Sequence, residues 1–121
     1  MRLGHVASIL AGCALGFACA SDDPPGPSEP SCSVKNSEDC PSPAPTYADV
    51  APLLDERCNT CHSDSSTGPW PLTSYQNVVD WWDLVRRDTL DCSMPPRDSG
   101  LTLTQDESKL ILDWIACDLP E

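Results

Sequence analysis

The apolar positions of this chain fall into two registers, and the change between them divides it. Leu3 to Ala18 is an unbroken apolar or small run apart from His5 and Ser8, with Arg2 as its single charge. That run is too short and too interrupted for a membrane span, and it reads as an export signal over residues 1–18. Residues 19–45 carry no apolar period. From Ala20 to Pro45 there are seven prolines among serines and acids, a composition that reads as a flexible tether. From Thr46 onward, helical periodicity begins and three helices are expected. The first takes Asp49 as N-cap with Pro52 in its first turn, and places Leu54, Cys58 and Cys61 on one face at i, i+4, i+7. The second opens on the capping pattern Thr73-Ser74-Tyr75-Gln76 and runs to about Asp88. Its stripe is Tyr75, Val78, Val79, Trp82 and Val85, widened by Trp81 and Leu84. The third opens on Thr104-Gln105-Asp106-Glu107 and ends near Asp118, with Leu110, Ile111, Trp114, Ile115 and Cys117 on its apolar side. No segment alternates with period two, so the class is all-α, with one small domain over 46–121.

Composition sharpens this picture. The 121 residues hold eight cysteines, a density that points to an oxidising compartment. Nineteen acids against seven bases give a net charge of −12, which disfavours nucleic acid and anionic lipid and suits a basic docking partner or plain solubility. Two cysteines end candidate lipoprotein signals. Leu10-Ala11-Gly12-Cys13 is nearer the lipobox, but Gly16-Phe17-Ala18-Cys19 allows a fuller apolar region. Lipidation at Cys19 leaves an even six cysteines, so Cys19 is favoured over Cys13, with an unlipidated secretory signal as the alternative. Membrane association is then expected only through a lipid anchor.

The candidate chemistry lies at Cys58-Asn59-Thr60-Cys61-His62. In a CxxCH pentapeptide on a helix, two thiols face one side and can add across the vinyl groups of a haem, while the adjacent His is placed to bind iron. Three short helices make a thin core that an interior haem would fill. A second axial ligand follows by elimination. After signal removal the chain keeps one His, His62, and one Met, Met94, which lies 32 residues later and is followed by the stiffening Pro95-Pro96. Cys92 and Cys117 stand at no metal spacing; a disulfide between them would pin the Met loop to the last helix. Cys32 and Cys40, eight residues apart, are placed to close a small disulfide loop within the tether. Two other readings stay open. Cys58 and Cys61 form a CxxC dithiol, although the βαβ pattern of that fold is missing. Alternatively Cys58, Cys61 and His62 join Cys92 or Cys117 around structural zinc, although adjacent Cys61 and His62 fit one tetrahedral ion poorly.

Residues 46–121 resemble the small cytochrome c-like domains of bacterial exported lipoproteins. The likeness is carried by the helix entering Cys-Asn-Thr-Cys-His, the Ser-Tyr helix, Cys-Ser-Met-Pro-Pro, and the closing Trp-Ile-Ala-Cys. It implies one covalent haem c on Cys58 and Cys61, with His62 the proximal and Met94 the distal iron ligand. It also implies electron transfer rather than catalysis, in the periplasm or at the outer membrane, alone or within a larger oxidoreductase, toward a redox protein partner. Arg86, Arg87, Arg97 and the Trp70 N–H are candidate haem propionate contacts. The chain departs from the wider class where a Gly and an aromatic are usual, having Val50 and Leu54, which implies a looser contact of first and last helices with Trp114 filling space.

Overall fold

A computed structural model describes residues 32–121; the expected export signal and both candidate lipidation sites, Cys13 and Cys19, lie outside the described residues. Among the described residues there are α-helices and no strands, as the missing period-two alternation predicts. The helices are α1 (Tyr47–Arg57), α2 (Asn59–His62), α3 (Tyr75–Asp80), α4 (Trp82–Leu90) and α5 (Gln105–Ala116), with a 3-10 turn at Arg97–Ser99. None of them is long and apolar enough to cross a membrane.

Helix α1 begins two residues before the expected cap. Thr46 is the N-cap, and Asp49 sits at the third helical position, where its carboxylate accepts from the Thr46 N–H at 2.7 Å and the hydroxyl at 3.0 Å. An aspartate there satisfies the helix start and lies favourably on the dipole, so the cap moves upstream. Pro52 is accommodated inside the helix, within its first two turns. The expected second helix is two. Trp81 leaves helical geometry (φ −122°, ψ 18°) and separates α3 from α4, with Ser74 accepting from the Asn77 N–H to cap α3. This break shifts the phase of the apolar stripe: Val78 is fully buried, whereas Trp82 turns outward and is 42% exposed. Helix α5 starts as its sequence predicts, with Thr104 and Glu107 exchanging hydrogen bonds of 3.1 and 2.7 Å.

The core is the contact of α1 with α5, closed by α3. Val50, Leu53 and Leu54 pack with Val78, Ile111, Trp114 and Ile115. Val50 is wholly buried, so a branched side chain occupies the helix contact. Trp114 fills the space beside it, its ring 6.0 Å from Tyr47 and 6.4 Å from Tyr75. The Trp114 indole N–H donates to the Pro120 carbonyl and the Tyr75 hydroxyl to that of Leu119, both at 2.8 Å, which draws the C-terminus over the aromatic cluster.

The disulfides differ from those expected. Cys92 pairs with Cys32, and Cys117 pairs with Cys40, in place of Cys92–Cys117 and Cys32–Cys40. Residues 32–45 are irregular, as their composition predicts, yet they do not run free of the domain. They lie along α5, where the Ser37 hydroxyl donates to the buried Asp113 carboxylate and Gln105 to Ser33. The physical reason is spatial: this segment passes both the Met94 loop and the end of α5, which sets each outlying cysteine beside a domain cysteine, at Cα–Cα distances of 5.8 and 4.7 Å. The links span 60 and 77 residues, and the chain-entropy relation gives closure of a loop that long about 4 kcal/mol.

Candidate functional site

Helix α1 ends at Cys58, where the backbone (φ −111°, ψ −46°) bends into the single turn α2. The Cys58 carbonyl accepts from the N–H groups of Cys61 and His62 at 3.0 and 2.9 Å. This turn sets both sulfurs and the imidazole along one cavity of about 240 Å³. The wall is almost wholly apolar, built from Leu72, Trp81, Leu84, Val85, Leu103 and Ile111, and Met94, Pro95 and Pro96 complete it from the loop after α4. Cys58, Cys61, His62 and Met94 are thus brought together from two distant parts of the chain. Of the six described cysteines, the two in the cavity wall are the two outside disulfides. Burial pushes the Cys58 thiol up to about 11.

The His62 ring is oriented by backbone. Its Nδ1 lies 2.8 Å from the Pro69 carbonyl and 3.3 Å from that of Trp70. A carbonyl only accepts, so the proton sits on Nδ1 and the Nε2 lone pair is left for a ligand. The loop gets close enough to do this because of Gly68, which is buried against the ring. A Cβ there would lie 2.7 Å from the Cys61 carbonyl oxygen and 3.0 Å from His62 Nδ1. Trp70 then turns back in the left-handed region (φ 60°) and its ring meets Trp81 with centroids 5.2 Å apart. Gly68→Ala is expected to push the loop off the imidazole and lower the thermal midpoint by several degrees. Loss of the hydrogen-bonded His62 Nδ1–H resonance from NMR spectra checks the cause.

The candidate propionate contacts divide. Trp70 stands in the cavity wall, whereas Arg86, Arg87 and Arg97 are not among its lining residues. On α4 the wall is made by Leu84, Val85, Asp88 and Thr89; at about 100° per residue, 86 and 87 turn to the other side. Arg87 pairs there with Asp88 at 2.7 Å. The cation in the wall is Arg57, which the motif reading passed over although it immediately precedes Cys58. Its guanidinium donates to one Glu107 oxygen from Nε (3.1 Å) and Nη2 (2.9 Å), joining the start of α5 to the cavity. The Thr104 N–H first, and Arg57 with it, hold the Glu107 carboxyl below its ordinary value.

These residues fit a covalently held haem. Two unpaired thiols one helical turn apart, an imidazole presenting Nε2, a thioether and an apolar wall form one donor set. Three large hydrophobic side chains are notably exposed among the described residues. Two of them, Trp70 and Met94, each 41% exposed, belong to this cavity, whereas Trp82 lies outside its wall. Exposed apolar groups gathered at one cavity mark a ligand surface rather than scattered surface residues. Comparison with family models, curated proteins and solved structures finds no match to this chain.

Proposed function

We propose that this chain is a monohaem c-type cytochrome that carries electrons in the periplasm or at the cell surface, exported as a lipoprotein anchored through Cys19. The observation that carries the reading is the grouping of unpaired Cys58 and Cys61 with a backbone-oriented His62 in an apolar cavity that also takes Met94. Cys58 and Cys61 would hold the haem by thioether bonds, and His62 Nε2 and Met94 would bind its iron as the proximal and distal ligands. Haem supplies one-electron exchange between Fe(II) and Fe(III). Pro69 holds the His62 proton on Nδ1, the apolar wall excludes water, and Arg57 and Trp70 offer donors to the propionates. The chain acts as a carrier, alone or as one subunit of a larger oxidoreductase. Its acidity suits a partner with a basic docking surface.

Two features weigh against the other readings. A dithiol exchanger needs a thiolate near neutral pH, and the Cys58 thiol is shifted the opposite way. Structural zinc needs further ligands, and Cys92 and Cys117 are engaged in disulfides. The test is expression with the haem c maturation machinery, followed by a haem stain on a denaturing gel. An alkaline pyridine spectrum then counts the thioether bonds. Stained protein with two such bonds is expected, and unstained protein overturns the reading.

A further inference from the structure

Met94 is poorly held by its own surroundings. Its side chain is 41% exposed, so packing contributes little to its place. Its loop hangs from the last turn of α4: the N–H groups of Ser93 and Met94 both donate to the Asp88 carbonyl, at 3.1 and 3.3 Å, and that of Cys92 to Thr89 at 3.4 Å. With the Ser93 N–H donating also to the Asp91 carboxylate at 2.9 Å, these bonds fix the start of the loop to α4 and leave the Met94 side chain to other constraints. A thioether on three rotatable bonds keeps its place only as well as its backbone does. Cys92 sits in the left-handed region (φ 55°) as the residue after the α4 cap, and the bonds from Cys92 to Thr89 and from Ser93 to Asp88 are those of a Schellman end, so α4 itself sets this conformation.

A second constraint on the loop comes from the segment before the domain. Cys32 is bonded to Cys92, two residues before Met94, and the same segment is fixed again by Cys40–Cys117 at the end of α5. Between these points Ser37 bonds to Asp113 and Ser33 to Gln105. The segment is a strut closed covalently at both ends, running from the last helix to the Met94 loop. We propose that Cys32 is the positioning residue for Met94, acting through its disulfide to Cys92 to hold the thioether at the cavity. The inference rests on the haem reading above and adds to it that the distal ligand is set from outside the haem domain proper.

The test compares Cys32→Ser/Cys92→Ser with Cys40→Ser/Cys117→Ser in the full chain. Both lose one long disulfide, so both lose thermal stability, and stability alone decides nothing. Only the first is expected to speed hydrogen exchange over residues 91–94 and, in haem-loaded protein, to bind imidazole at least about tenfold more tightly, since a distal ligand that is less often in place competes less. Equal exchange and equal imidazole affinity in wild type and Cys32→Ser/Cys92→Ser overturn the proposal. Hydrogen exchange reads the loop whether or not haem is attached, so an unstained protein rejects the haem reading while the exchange still decides on Cys32. Partial reduction of folded wild type, with alkylated cysteines mapped by mass spectrometry, gives the same comparison without substitution.

Discussion

A Cys58→Ser/Cys61→Ser variant, expressed with the maturation machinery, is expected to show no haem on a denaturing gel. Serine hydroxyls do not form thioether bonds, and His62 on the proposed reading would then offer only a coordinate bond, which denaturation breaks. The same variant is expected to lose thermal stability. The core of the described domain is one cluster of eight buried apolar side chains, two of which, Leu72 and Ile111, also form part of the wall of the cavity beside it. Loss of a group bound only by the folded state costs about 2–4 kcal/mol, worth roughly 10–20 °C in a domain of this size. Differential scanning of both proteins reads the shift. A variant that keeps its stain rules out Cys58 and Cys61 as the attachment points.

Met94→Ala is expected to leave the stain intact and change the iron. The side chain is exposed in the structure, so its removal opens little or no void in the core. A thioether favours Fe(II) over Fe(III), and replacing it with water or a nitrogen ligand lowers the potential. The expected fall is on the order of 0.1 V, a fraction of the roughly 0.8 V that axial ligands span. Potentiometric titration of both proteins measures it, and an unchanged potential rejects Met94 as the distal ligand. Gly68→Ala acts through His62 rather than Met94, so on the proposed reading the two variants test the two iron ligands separately.

The sequence by itself determined the local features of this protein. A helix start depends on residues within one turn, and Thr104 with Glu107 closes α5 as written. The CxxCH turn is equally local, since its spacing alone sets two sulfurs on one side. The absence of strands among the described residues follows from the missing alternation, and the irregular course of residues 32–45 from their prolines. What depends on distant parts of the chain meeting was decided only by the tertiary structure. Cysteine partners are chosen by the path of the backbone, so Cys92 and Cys117 pair with a segment that composition marks as a tether. The break at Trp81 rephases α4, which turns Arg86 and Arg87 away from the cavity and Trp82 into solvent, while α1 carries Arg57 to the cavity instead. Gly68 carries no sequence signal of its own, because its role is the space it leaves for a ring bonded to Pro69. Periodicity reports which face of a helix is apolar, but the packing of the rest of the chain decides what that face meets.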